Sequence, residues 1–544
     1  MSKRFLRTVL PALLISLCAP QAIAQTPRTR VPTHADILRG ADGPYRANNN
    51  LISYHLDIRV DPAKKSISGK NTIRFRMLKD DSRIQLDLTD ALNIDKILLG
   101  KTELKYSRDS GAVFVDFPSP LRAGRVYAID FYYSGNPKQQ GRFGGFYFSK
   151  DPSGNDWIGT ACEGIGASIW WPNKDQWKDK VENMLLSVTI PKNLVDVSNG
   201  KFMGKKDLGD GFTRWDWSIH YPINNYCVSI NVGNYVHFSD KVGNMPLDFY
   251  ALPEHLEGAK RQFAQCREMI EAYQHYFGEY PFRKDGYKLI DVPYSGMEHQ
   301  SAVTYGNRFA NGYLGNDWTG VGISPKFDFI IIHESGHEWF GNAVSAQDVS
   351  DMWIHEGWTT YLEGLYVEYR WGKADGLKYV NGYQKKVANR TPIITTRGTN
   401  MEPPQDMYFK GALFLNTLRS VVDDDKRWFA LIHDLYQHFK YHAIMTEDIV
   451  AFFSERLHMD MTPIFDEYLR HSKLVTLQLR FGHNSVAYRW DAEEPGFNMP
   501  IKVGSADHWK LIHPTTTWQA MDTLLTKDTF EVPTDLYYVN VAKL

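Results

Sequence analysis

Ile332-His333-Glu334-Ser335-Gly336-His337-Glu338-Trp339-Phe340-Gly341-Asn342, followed by Trp353-Ile354-His355-Glu356-Gly357, is the stretch on which the reading of this chain turns. Two histidines four positions apart on a helix lie on one face, so both imidazoles reach a single metal ion. Glu334 sits at the edge of that face, beside the metal. Glu356 comes nineteen positions after His337, far enough for a turn and the start of a second helix that offers a third ligand. Three protein ligands leave one zinc position open for water, which separates a catalytic site from a closed structural one. These residues imply a zinc hydrolase. Around them, Ser324-Pro325 predicts an N-cap and a favoured first helical residue. Phe327, Phe329, Ile330, Ile331 and Ile332 predict burial, and Gly341-Asn342 a helix end. A surface helix with solvated His and Glu is the bland alternative. A buried one needs partners for those polar groups, and one metal supplies them.

Working outward, the chain has 544 residues, enough for several domains. Its formal net charge of −1 excludes a dominant attraction to nucleic acid or anionic membrane. Aromatic residues make up 14%, which marks a folded chain and not a disordered one. The N-terminus reads as an export signal: Lys3, Arg4 and Arg7, an apolar stretch from Val9 to Leu17, then Ala22-Ile23-Ala24 with cleavage expected before Gln25. Cys18 invites a lipoprotein reading, but Leu17 is large where lipidation signals want a small residue. A periplasmic or secreted location is expected, with no stable membrane insertion after cleavage. Cys162, Cys227 and Cys266 then remain, so at most one disulfide is expected and none has zinc-ligand spacing. Cys266 falls on an apolar helical stripe and reads as core.

From about Leu51 to Asp240 apolar residues alternate with polar ones, as in Ile52, Tyr54, Leu56, Ile58 and Val60, the pattern of half-buried strands. After Pro253 the period changes: Leu256, Ala259, Phe263, Cys266, Ile270, Tyr273 and Phe277 form a helical stripe that stops at Gly278. Helical texture runs to about His471, interrupted near Tyr287–Val303 by a strand-like stretch. Val475, Leu477, Leu479 and Phe481 then alternate again. Gly141-Arg142-Phe143-Gly144-Gly145 lacks the strand–loop–helix setting of a phosphate loop and reads as a β-turn.

Five ordered motifs resemble the M1 family of zinc aminopeptidases. Ser295-Gly296-Met297-Glu298-His299 resembles the family's GxMEN loop, and His333 to Asn342 its HExxHxWFGN helix. Glu356 matches the third ligand. Tyr408-Phe409-Lys410-Gly411-Ala412 is similar to the YxKGA segment, and Thr160-Ala161-Cys162-Glu163 to the TQxE strand. The resemblance implies an α+β multidomain fold: a β-rich N-terminal domain, a thermolysin-like and mainly helical catalytic domain, and a short C-terminal β module. The limits read as 1–24 for the signal peptide, then 25–245, 246–471 and 472–544. It implies one zinc per chain on His333, His337 and Glu356, with Glu334 as general base on the zinc-bound water and Tyr408 stabilising the oxyanion. The resemblance further implies that Glu298 and Glu163, with Gly296 and Met297, bind the substrate. Chemically this is coherent, since carboxylates beside the zinc pair with a free α-ammonium and fix the scissile bond one residue in.

The chain departs from the family at His299 and Gln300, where familiar members carry Asn and an aromatic, and at His355, which replaces an Asn and reads as a packing or supporting residue. Many members continue into a large helical C-terminal domain; the short β module predicts a site more open to solvent. The expected function is removal of the N-terminal residue from peptides. Alternatives are a thermolysin-type endopeptidase, an epoxide hydrolase on the same zinc site, or a non-catalytic binding protein on a decayed fold. Glu298 with Glu163 argues against the first, and the complete set of chemical residues against the last.

Overall fold

The alternation that begins at Leu51 builds the strand Asn49–Asp61 in a computed structural model that describes residues 30–140 and 144–544. The expected signal segment, with Lys3, Arg4, Arg7, Val9–Leu17, Cys18 and the cleavage before Gln25, lies outside the described residues. So do positions 141–143 of the expected glycine-rich turn. Leu56, Ile58 and Val60 are buried on one face of the strand. It runs antiparallel to Ser66–Met77 and parallel to Asn183–Pro191, inside an eight-stranded sheet. A separate four-stranded sheet holds Asp156–Ala161 as an interior strand, two residues ahead of Glu163.

A five-stranded sheet then takes over, in the order Val236–Val242, Met245–Ala251, Tyr287–Asp291, Val303–Tyr305, Gly296–Met297. The expected limit at 245/246 falls inside the hairpin made by its first two strands, which pair from Val236↔Ala251 to Val242↔Met245. The short edge strand Gly296–Met297 delivers Glu298. A Cβ on Gly296 would lie 2.8 Å from Ile330 Cγ2 and 3.2 Å from Glu334 Cγ, so only glycine lets this strand lie against the histidine-bearing helix.

The helical stripe after Pro253 is two helices, Leu256–Phe263 and Gln265–Phe277, and the second stops at Gly278 with φ +88. The helix carrying His333 spans Phe329–Gly336, shorter than the sequence suggested at both ends. Ser324–Lys326 is a separate 3₁₀ turn. The true cap is Asp328, whose carboxylate accepts from the Ile331 N–H at 3.4 Å, because Phe327 is extended and breaks the run. At the other end His337 is the C-cap, not an interior residue; its φ −61 and ψ −18 remain helical, so it still faces the same way as His333.

Two further helices complete the frame of the site, Trp353–Trp371 with Glu356 and Asp406–Val422 with Tyr408. They touch backbone to backbone: a Cβ on Gly411 would lie 2.9 Å from Gly357 Cα. Past Arg470 the expected β module is present, a sheet of Gln519–Asp522, Ser485–Asp491, Thr476–Gly482 and Asn540–Lys543 plus the hairpin Ile501–Ser505/His508–Ile512. Cys162, Cys227 and Cys266 are buried and free. Among the described residues no helix is long and apolar enough to cross a membrane.

Candidate active site

His333 and His337 turn their Nε2 atoms toward each other, 3.3 Å apart, and Glu356 Oε2 stands 3.4 Å from both. Donors held about 2.05 Å from one ion at tetrahedral angles are separated by about 3.3 Å, so the triangle has the span that zinc requires. The opposite ring nitrogens are tied down. His333 Nδ1 meets Glu363 Oε1 at 2.7 Å, and His337 Nδ1 meets the Phe340 carbonyl at 3.0 Å and Thr359 Oγ1 at 3.1 Å. With Nδ1 donating, Nε2 carries the lone pair on each ring. Glu356 Oε2 is buried with no hydrogen-bond partner, an acceptor waiting for a cation. The donor set, two imidazoles and one carboxylate, suits zinc.

Electrostatics agree with the geometry. Burial alone would depress the His333 imidazole, but Glu356 and Glu363 hold its pKa well above the usual value. Burial works against the Glu356 charge as well, yet the two imidazoles keep its pKa far below the ordinary carboxylate range. A divalent cation held by His333, His337 and Glu356 would take the place of protons on the rings.

All of the residues expected at the site line one cleft of about 460 Å³: Glu163, Gly296, Met297, Glu298, His333, Glu334, His337, Glu356 and Tyr408. Ligand-type atoms of Glu298, Glu334 and His337 lie within 4.8 Å of one another, so the expected amine-binding carboxylate stands beside the expected base. Burial pushes Glu334 up to about 7, with Glu298 and Glu356 adding to the rise and the two histidines opposing it. Glu163 is driven well above the normal range by burial and then by the charges of Glu298, Glu356 and Glu402. Each of Glu163 and Glu298 keeps a buried oxygen, Oε1, without a hydrogen-bond partner. The Tyr408 ring lies over His333, with centroids 6.1 Å apart. Burial and then Glu356 raise its pKa, so the hydroxyl keeps its proton and remains a donor.

The loop that carries Glu298 is clamped from the far end of the zinc motif. Asn342 Nδ2 donates to the Glu298 carbonyl at 2.7 Å, and the Glu338 carboxylate accepts from the Ser301 N–H at 3.0 Å and from Asn342 Nδ2 at 3.0 Å. His355 is fully buried, stacked on Trp177 at 4.8 Å, and accepts from the Ala346 N–H at 2.7 Å. Burial drops its pKa to about 3, so it is a neutral packing residue. His299 is likewise buried and driven down to about 3.

Sequence reasoning overlooked Glu363, Thr359, Glu338, Asn342 and Glu402. Glu363 had a readable signal: Glu356, Thr359, Thr360 and Glu363 follow the i, i+3, i+4, i+7 pattern of one helix face. All four are buried, which an amphipathic surface helix would not allow.

Two family sequence models match the chain, the Peptidase M1 N-terminal domain over residues 50–227 and the Peptidase family M1 domain over residues 261–468. Among curated proteins, mouse endoplasmic reticulum aminopeptidase 1 is 23% identical over 81% of this chain and 49% of its own length. Leucyl aminopeptidase of Saccharolobus solfataricus is 22% identical over 76% and 52%. The chain thus spans about half the length of the curated relatives it matches. Among solved structures, an M1 zinc metallopeptidase from Deinococcus radiodurans shares the fold, with a TM-score of 0.67 at 20% identity over 78% of this chain and 94% of that one.

Proposed function

The chain belongs to peptidase family M1, and on that premise we propose that it is a zinc aminopeptidase that removes the N-terminal residue from peptides with a free α-amine. The observation that carries this reading is the pair of buried, unpartnered carboxylate oxygens on Glu163 and Glu298, in the same cleft as the His333–His337–Glu356 triangle. Carboxylates left without donors in a low-dielectric cleft favour a cation, and an α-ammonium satisfies both. The same pair disfavours an internal peptide bond, which brings no positive charge to offset theirs.

His333, His337 and Glu356 would hold the zinc, which supplies Lewis-acid activation of water and of the scissile carbonyl. Glu334 takes the attacking water's proton and returns it to the leaving amine; a carboxyl raised to about 7 suits both halves of that transfer near neutral pH. Tyr408 donates its phenolic hydrogen to the developing oxyanion. Gly296 and Met297 form an edge strand, the position at which a substrate backbone adds to a sheet. Glu363 fixes the His333 ring through its Nδ1.

We read the N-terminal segment as an export signal and the mature chain as periplasmic or secreted. The limits 25–245, 246–471 and 472–544 remain our division of it, with the Val236–Ala251 hairpin straddling the first boundary.

The test is hydrolysis of aminoacyl-anilides, and of matched peptides with free and N-acetylated termini, by wild type and Glu334→Gln. We expect chelator-sensitive cleavage of free-amine substrates only, and a variant that binds zinc but loses about 10²- to 10⁴-fold in kcat. Equal rates on acetylated peptides would overturn exopeptidase action. An unimpaired variant would overturn the role of Glu334.

A further inference from the structure

Packing accounts for the ring of His355 and leaves its two nitrogens to be explained. The ring stacks on Trp177, with centroids 4.8 Å apart and planes 11° from parallel, and lies 6.2 Å from the Tyr226 ring, so its orientation is held. Nε2 accepts from the Ala346 N–H at 2.7 Å and therefore carries the lone pair. An imidazolium is excluded, since both of its nitrogens would donate. The one hydrogen of the neutral ring then sits on Nδ1. Two acceptors face that N–H: the Tyr226 hydroxyl oxygen at 3.3 Å and Glu163 Oε1 at 3.9 Å.

Glu163 is short of such a donor. It follows the strand Asp156–Ala161 on a loop, its side chain is partly exposed, and its buried Oε1 has no hydrogen bond. The charges of Glu298, Glu356 and Glu402 all act against its own. The His355 N–H is a dipole of the opposite sense beside it. At 3.9 Å the contact is longer than a hydrogen bond, but where water is excluded a dipole still acts on a charge over that distance. A carboxylate oxygen has two lone pairs, so Oε1 can turn one to His355 and the other to an α-ammonium.

We propose that His355 is a positioning residue for amine recognition: locked as a donor at Nδ1 by the Ala346 N–H, it holds Glu163 with its carboxylate turned toward the substrate's α-amine. This rests on the aminopeptidase reading above and deepens it by naming what orients one arm of the amine clamp.

Two near-isosteric changes separate this role from packing. In His355→Gln the amide falls where Nε2 was, so its oxygen can still accept from Ala346 while the donor facing Glu163 is gone. In His355→Asn the amide falls where Nδ1 was, so it can still donate toward Glu163 while the Ala346 bond is lost. The measurement is KM and kcat of the zinc-loaded full chain on Leu- and Ala-anilides, with melting temperature and zinc content alongside. His355→Gln should raise KM about three- to tenfold with kcat within about twofold, and His355→Asn should keep KM within about twofold while melting lower than His355→Gln. Tyr226→Phe removes the competing acceptor and spares the donor, so its KM should stay at or below the wild-type value. Two results overturn the proposal: KM rising equally in both His355 variants, or Tyr226→Phe raising KM as far as His355→Gln, which would give the contact to the tyrosine. In both cases the aminopeptidase reading stands. Failure of wild type to cleave any anilide would instead remove that reading, and this inference with it.

Discussion

Glu363 offers the most direct test of how the metal triangle is held. It is fully buried, accepts from His333 Nδ1 at 2.7 Å, and receives two phenol hydroxyls, Tyr379 at 2.7 Å and Tyr383. Glu363→Gln keeps the size and one acceptor oxygen but removes the negative charge. The charge does two jobs: it selects the His333 tautomer whose Nε2 carries the lone pair, and it raises the basicity of that nitrogen. Supporting carboxylates of this kind are worth about 10- to 100-fold in metal affinity, or about 1.4–2.7 kcal/mol. The tyrosines soften the change to stability, because either hydroxyl can turn to accept from the new amide. The assay is competition for zinc against a chromogenic chelator, with Thr359→Val as comparison. Thr359 shares His337 Nδ1 with the Phe340 carbonyl, so its loss leaves that ring tethered and costs less. Zinc affinity within about twofold of wild type in Glu363→Gln, with a lowered melting temperature in the metal-free protein, would refute the reasoning and leave Glu363 a structural carboxylate.

Two further outcomes follow from the same electrostatics. Glu298→Gln removes one partner of the substrate ammonium, so KM for free-amine substrates should rise by about 10- to 100-fold while zinc content is unchanged; an unaltered KM would remove Glu298 from amine recognition. Away from the site, Asp196 is buried and pushed up to about 8, with Trp217 and Ser198 hydrogen bonds opposing the rise. Its folded pKa lies above its unfolded one, so its contribution is whole below about pH 4 and is lost as pH rises toward 8. Asp196→Asn should therefore flatten the fall in melting temperature between pH 5 and pH 8, and an identical slope in both proteins would sink that assignment.

Much of the site was legible because its chemistry depends on short-range spacing. His333 and His337 face the same way by helix geometry alone, and Glu356 by the length of one connection. The alternation at Leu51–Val60 and the stripe at Leu256–Phe277 likewise follow from local period, and both appear as elements. What escaped was set by tertiary contact. Ser324-Pro325 looked like a cap, yet the chain extends at Phe327 and Asp328 caps a shorter helix. Asn342 read as part of a helix end and Glu338 only as a letter of the zinc motif, while their partners Glu298 and Ser301 lie some forty positions upstream. Glu402 sits on a loop with no periodicity to mark it, and only the fold brings it beside Glu163.

The contact between Gly357 and Gly411 has a mechanical consequence. Glu356, the proposed zinc ligand, and Tyr408, the proposed oxyanion donor, are borne on two helices that meet where no side chain can intervene. Their separation is therefore insulated from breathing of the β-rich half or of the C-terminal sheet. The Glu298 loop is clamped to Glu338 and Asn342, so any opening of the cleft falls to the segments that bring Glu163 and Glu402. Substrate capture can be loose while the spacing between electrophile and donor stays constant, and a methyl group at either glycine would act as a wedge on that spacing alone.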